Sequence, residues 1–420
     1  MATIPSLALL PSGYKASKVY SVLPTDGTGD FDFTRSGNAT RVNSEGLIEL
    51  VTSNVPRLNY PLIDGVVSGC PSLLLEPSRQ NVVPYSEAFD NAAWGTQEIT
   101  ISPNAAISPD GTLTADKIIP SAVSTTHQMF DLSLISSQTC ATSVFAKSDG
   151  ISTFEILDGG SATNGVAFNL SDGTFTNRGS GIGSMEYYGN GWYRCISVAI
   201  TTGFRIYCPS SSGTSLGDGT SGVLLWGAQL EAGSYATSYI PSLIGSQTTR
   251  SAETCNNAGD VNTFNDSEGV LFAEISAFEY PVTQNNWLTI TDGSINNSIG
   301  ILFESTTVVA RHEVGGVNYS YLTHIIDYTN VLKIAFKYKL NDLQLWINGY
   351  KVSVLSNSPI FPNNTLNSLQ LQYGGGSNPF YGNTKQIQYF NTALNDSDLE
   401  TLTSWDSFSD MATSQLYTIE

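Results

Sequence analysis

The chain has 420 residues, of which 40% are hydrophobic and 10% aromatic but only 13% charged, with 38 glycines. So little charge beside so many aromatics excludes a disordered chain and a mainly coiled-coil or helical-bundle architecture, leaving a β-rich protein with real cores. Lys and Arg number 18 against 37 Asp and Glu, a net charge of −19, so the basic surface needed for nucleic acid or an anionic membrane is missing.

Residues 1–81 come first. Met1–Gly13 has no basic n-region and a short apolar stretch broken by proline, which is not a secretory signal. The rest reads as short strands and extended loops around Asp26-Gly27-Thr28-Gly29-Asp30 and Phe31-Asp32-Phe33-Thr34-Arg35. This segment is too thin in apolar residues for a large core of its own. It is expected to attach or trimerise, packing on something else, other copies included.

Residues 82–245 form a dense strand region. Ala141–Ala146 reads as a strand, and Gly165–Leu170 leads into a Ser171-Asp172-Gly173-Thr174 turn. Strands follow at Trp192–Val198 and Val223–Leu230. Residues 246–266, poor in bulky apolar groups, read as a linker.

Residues 267–406 are strand-rich again. Val331–Leu340 alternates, with Leu332, Ile334, Phe336 and Tyr338 opposite Lys333, Lys337 and Lys339, as in a half-buried antiparallel strand. Leu343, Leu345 and Ile347 alternate next, and Asn348-Gly349 predicts a type I′ hairpin into Tyr350-Lys351-Val352. A later strand alternates through Leu369, Leu371 and Tyr373. One short helix is predicted, with Ser397-Asp398-Leu399-Glu400 as its capping box and Leu399, Leu402 and Trp405 on one face. Residues 407–420 are a C-terminal tail, and no run approaches the 18 or so apolar residues of a membrane span.

The candidate chemistry is sparse. Gly217-Asp218-Gly219-Thr220-Ser221-Gly222 matches a dinucleotide fingerprint by letter, but a strand-like run follows it where a helix is required. The five cysteines are odd in number and lack C-x-x-C spacing, so free, buried thiols are expected. His127, His312 and His324 lack metal-ligand spacing. Glu274, Glu279, Glu304 and Glu313 are the carboxylates that a glycosidase would pair across a sheet, without an E-x-D-x-x-E run to place them; Glu274 is expected to face solvent. No catalytic residue and no metal ligand is assigned, and no cofactor is expected, although Asp26, Asp30 and Asp32 leave Ca²⁺ open. Trp287, Tyr319, Tyr321 and Tyr381 are the candidate carbohydrate-binding residues, because such rings stack on the C–H faces of sugars while their polar tips reach hydroxyls.

A series of motifs carries a resemblance. Phe33–Asn43 leads to Gly46–Glu49, then Asn54–Tyr60, Cys70–Pro77, Tyr85–Phe89 with Ala93-Trp94, Pro109–Lys117, Trp226–Gly233 and Ser238–Pro241. This series resembles bacteriophage head-spike and tail-fibre proteins. The last block resembles the laminin-G/concanavalin-like lectin sandwich through Leu345–Gly349 and Ala393–Asp396. The expected fold is all-β: two antiparallel β-sandwiches, jelly-roll-like and then lectin-like, after an extended N-terminal β region. The resemblance implies a virion-surface fibre or spike, on head or tail, commonly a homotrimer attached to capsid or tail proteins. Its motif residues imply scaffold, with Trp226 and Leu230 as core. Adhesion to host-surface glycan is the leading expectation; a ligand-free structural protein and a polysaccharide depolymerase are the alternatives.

Overall fold

The computed structural model describes residues 3–209, 214–243, 245–278 and 286–406; the predicted tail and Glu279 lie outside them. The described residues form antiparallel sheets and a single helix. Two six-stranded sheets make the middle sandwich. One runs in the order Ile99–Ile107, Leu113–Pro120, Gly222–Ala232, Gln138–Asp149, Tyr193–Thr201, Ile182–Tyr187. The other runs Gly95–Gln97, Gln128–Asp131, Phe204–Tyr207, Thr153–Asp158, Gly165–Asn169, Thr174–Arg178. Val144, Ile156, Phe168, Ile206 and Leu230 pack between the layers. On the outer side of the first sheet, Trp226 sits with Phe145 and Tyr239, capped by Ile48 of the N-terminal segment. Gly227 takes φ 65° where the pairing of Gln138–Asp149 with Gly222–Ala232 slips, and a Cβ there would lie 3.0 Å from the Phe145 ring.

The second sandwich draws on both ends of the chain. Its eight-stranded sheet runs Tyr350–Leu355, Leu343–Ile347, Leu332–Lys339, Glu268–Ala277, Gly382–Phe390, Ser72–Leu75, Arg57–Asn59. Leu7–Leu9 pairs with the far half of Gly382–Phe390, Leu7 opposite Tyr389. The five-stranded sheet facing it runs Val317–Ile325, Thr307–Val314, Ser298–Glu304, Asn286–Thr291, Ser368–Gln370. Leu7, Leu9, Val19, Phe31, Phe33, Leu58, Leu73 and Leu75 thus lie in the same core as Leu271, Ile301 and Phe336. The segment judged too thin to fold alone shares a core with the end of its own chain.

Residues 246–266, expected as a linker, pair at both ends. Thr248–Arg250 lies beside Arg79–Asn81, and Thr254–Asn256 beside Phe31–Thr34. Main-chain hydrogen bonds hold both ends, and Cys255, Ala258 and Phe264 add to the core of the second sandwich.

The alternation of Leu332–Lys339 is as expected: Leu332, Ile334, Phe336 and Tyr338 are core. Asn348 and Gly349 both take positive φ, 49° and 87°, as a type I′ turn requires. The helix, Asp396–Thr403, begins earlier than its predicted box. Asn395 is the N-cap, accepting from the Asp398 amide, and Ser397 lies inside the first turn. Asn caps as well as Ser, and this frame buries Leu399 on Val270 and Phe272.

Candidate functional site

Alternation places two kinds of residue on the five-stranded sheet. Leu288, Ile290, Ile301, Val308 and Ala310 face the core. Trp287, Leu302 and Val309 form a separate cluster on the outer face, with Tyr373 against it. The Trp287 and Tyr373 rings lie 4.1 Å apart, and the Arg311 guanidinium sits 5.4 Å from the first and 5.7 Å from the second. Arg311 Nη2 donates to Glu313 at 2.6 Å, and the Tyr373 hydroxyl donates to the other carboxylate oxygen at 2.8 Å. Opposite Arg311 stand Gly300 on one neighbouring strand and Tyr321 on the other. The Tyr321 hydroxyl donates to Glu304. Burial, with Glu313 beside it, raises the Tyr373 phenol to about 12, and the bond to Glu304 raises Tyr321 to about 12, so both stay protonated donors at neutral pH. Arg311 Nε and Trp287 Nε1 are buried and find no hydrogen-bond partner among the described residues. An unpaired buried donor costs about 1–3 kcal/mol, so an acceptor admitted by a shift of the Arg311 or Tyr373 side chain would satisfy two N–H groups lying just beneath this face.

The four predicted residues divide. Trp287 and Tyr321 share the outer face, on either side of Arg311, but Trp287 is only 2% exposed and forms the floor while Tyr321 is 54% exposed. Tyr319 falls in the irregular pairing near His312, its ring 6.3 Å from that imidazole. Tyr381 packs against the main core, within electrostatic reach of Glu253, Arg79 and Arg250. Sequence reasoning missed Arg311 and Glu313 as partners of the rings. It also put Tyr373 on the same face as Leu369 and Leu371. The strand ends at Gln370, so the two leucines go to the core and Tyr373 to the outer cluster. The Gly374-Gly375-Gly376 run beside Tyr373 was the available signal that this period would break there.

The remaining candidates are structural in their settings. Asp218 accepts from the amides of Thr220 and Ser221, closing a turn before the strand Gly222–Ala232. Asp26 accepts from Thr28, Asp30 from Ser21, and Asp32 pairs with Lys18 at 2.8 Å. Among the described residues no His, Cys, Asp and Glu cluster is set to hold a metal. Cysteines are free, four of them buried and Cys70 exposed. Glu274, expected to face solvent, is buried and accepts from Gln386. Glu304 pairs with Thr307, six residues along the strand from Glu313, so their backbone positions are offset by about 20 Å along the sheet. That exceeds the ~5–10 Å of a glycosidase pair.

His312 lies among Phe361, Tyr338 and Tyr319, and burial lowers it to about 4. A lowered histidine binds its proton more readily when unfolded. Its stabilisation is full above pH 6.5 and is lost as pH falls toward 4, roughly 3 kcal/mol in all. Urea midpoints are expected to drop between pH 7.5 and 4.5, and His312→Phe is expected to flatten this component.

The motif series converges elsewhere. Arg57 donates through Nε to Glu253 at 2.9 Å, through Nη2 to the other oxygen of Glu253, and through Nη1 to Glu76 at 2.7 Å. Arg35 donates to Glu253 at 2.8 Å, and Arg250 pairs with Glu76 at 2.9 Å. The Ser238 hydroxyl donates to Glu76 at 2.6 Å, and Thr237 closes on Glu231. Burial by itself would raise the Glu76 carboxyl, but Arg250 and Arg57 outweigh it and hold it down to about 2. All these charged groups are buried. They join the N-terminal segment, the end of the middle sandwich and residues 246–266 at one junction. This explains why Arg35, Arg57, Glu76 and Ser238 each sit inside a separate motif.

No protein-family model matches the chain, and no curated protein sequence does. Several solved structures share part of its shape. The Ruminococcus gnavus IT-sialidase CBM40 bound to α2,3-sialyllactose is 15% identical, covering 34% of this chain and 84% of its own, with a TM-score of 0.30. Domain 4 of AbnA, a GH43 extracellular arabinanase from Geobacillus stearothermophilus in complex with arabinotriose, is 13% identical over 36% of this chain and 73% of that one, with a TM-score of 0.30. The K499G mutant of NanB sialidase from Streptococcus pneumoniae is 15% identical over 34% of this chain and 24% of that one, with a TM-score of 0.29. By its own sheets, the protein is an all-β, two-sandwich protein. Its second sandwich carries an aromatic and guanidinium cluster on an outer face.

Proposed function

We propose that the protein binds carbohydrate without cleaving it, through the outer face of the five-stranded sheet, as a fibre or spike on a virion surface. The observation that carries the binding is the Trp287–Tyr373–Arg311–Glu313 cluster with its two unpaired N–H donors. Apolar ring faces, a polar rim and unmet donors suit a glycan that brings hydroxyl or carboxylate acceptors. The virion setting, the host-surface glycan and the homotrimer rest on the motif resemblance. Three linked copies would strengthen weak single contacts.

A printed array of neutral and acidic oligosaccharides tests the binding. Wild-type protein is expected to retain defined glycans. Arg311→Ala leaves the buried Glu313 with the Tyr373 and Ser298 hydroxyls, and is expected to weaken the sheet-face ligand at least tenfold, measured well below a somewhat lowered melting temperature. Equal binding by both proteins would overturn the reading. Light scattering is expected to give three times 45.0 kDa. The second reading, a structural virion protein without ligand, is favoured by one observation: the motif residues Arg35, Arg57 and Glu76 all go to the buried junction and none to the face. An array with no retained glycan would select it.

A further inference from the structure

A cleft of about 830 Å³ lies where the three parts of the chain meet, away from the five-stranded sheet. Ligand sites favour such junctions and volumes of roughly 300–1,000 Å³. Its walls are Tyr60 from the N-terminal segment, Tyr187 from the middle sandwich, and Asn330 and Asn383 from the second sandwich.

One wall is a clasp. The hairpin Leu62–Ile63 to Val66–Val67 turns through Asp64 and Gly65, at φ 49° and 71°. Its tip rests on Gly189 of the middle sandwich, at φ 78°. The two backbones meet so closely that a Cβ on Gly65 would fall 2.3 Å from the Gly189 nitrogen. A Cβ on Gly189 would fall 2.6 Å from the Gly65 oxygen. Only a residue without a side chain fits on either side. The contact joins two bodies beside the cleft, and Leu62, Ile63, Val66 and Val67 of the hairpin belong to neither sandwich core.

The lining chemistry selects the occupant. Tyr187 is braced by Tyr193, ring centres 4.8 Å apart, and its hydroxyl accepts from the Gly191 amide at 3.2 Å. It is 37% exposed and thus offers ring surface. Asn59 is held through its carbonyl oxygen by the Val42 amide, and Asn383 through its own by the Ser72 hydroxyl. Among the described residues no protein group takes up their amide N–H donors. Asp64 and Glu186 outnumber Lys385 around the cleft, on a chain of net charge −19. Phosphorylated, sialylated or uronic ligands would be repelled here. Rigid tyrosines, side-chain amides and hydroxyls without net positive charge suit the hydroxyls and C–H faces of uncharged sugars.

We infer that this clasped cleft is a second binding site, for a neutral oligosaccharide, separate from the proposed sheet face. The experiment uses the full chain on the same printed array. Arg311→Ala removes the sheet-face contact and isolates the cleft. Neutral oligosaccharides are expected to stay bound by that variant. They are expected to lose at least tenfold in affinity when Gly189→Val is added, because the clasp cannot close. Asn330→Trp fills the cleft from a surface turn and serves as the second variant, should Gly189→Val disturb folding. Its loss of neutral glycans with unchanged melting would support the site. If wild type retains no neutral oligosaccharide, or if neutral binding survives both changes, the inference is overturned. Loss of neutral binding on Arg311→Ala alone would also overturn it, by assigning those glycans to the sheet face.

Discussion

Arg57→Ala is expected to cost about 3–5 kcal/mol, a large share of the ~5–15 kcal/mol that holds a typical native state together. Arg57 alone contacts Glu253 through two nitrogens and Glu76 through a third, and all three side chains are buried. Removing it leaves Glu253 with Arg35 and the Glu76 amide, and Glu76 with Arg250 and Ser238, so two buried carboxylates each lose a charged partner. The cost is that of one buried negative charge left uncompensated in the network, and it exceeds the net worth of the intact pairs. Arg57→Lys is expected to fail nearly as badly, because an ammonium offers one point charge where the planar fork satisfies two carboxylates and the Thr40 carbonyl. Denaturant titration of both variants checks this. An unfolding free energy within about 1 kcal/mol of wild type for Arg57→Ala would show the junction to be dispensable.

Deleting residues 1–81 is expected to unfold the second sandwich, even though the deleted segment lies at the far end of the chain. Eight core side chains leave with it, from Leu7 to Leu75. At about 1.5–3 kcal/mol for each buried large aliphatic or aromatic side chain, their loss exceeds the stability of an ordinary domain. The strand Gly382–Phe390 would also lose its partners Leu7–Leu9 and Ser72–Leu75, exposing an apolar edge to aggregation. A fragment of residues 267–406 is therefore expected to be insoluble or to lack a cooperative transition by circular dichroism. A sharp, reversible melt of that fragment would show that the block folds alone.

Much of the architecture was legible in local pattern. The period-two alternation of Leu332–Lys339, the Asn348-Gly349 turn and the short helix at Leu399 are set by residues within one or two turns of each other. The outer-face cluster was half legible. Trp287 and Tyr321 could be named as rings in strands, but their roles depend on Arg311, Glu313 and Tyr373, which come from other strands. Ring type says nothing about exposure, so the buried floor and the exposed rim looked alike in sequence.

The sequence by itself determined the all-β class and the hairpin turns, because these depend on side-chain period and on turn residues that act locally. Tertiary structure decided that Leu7 pairs with Tyr389, that Arg57 faces Glu253, and that Gly65 meets Gly189. Those contacts join residues that are far apart along the chain. No local pattern encodes which distant strand completes a sheet edge or which carboxylate neutralises a buried guanidinium. That is settled only when the whole chain finds the arrangement that leaves the fewest apolar surfaces wet and buried charges unpaired.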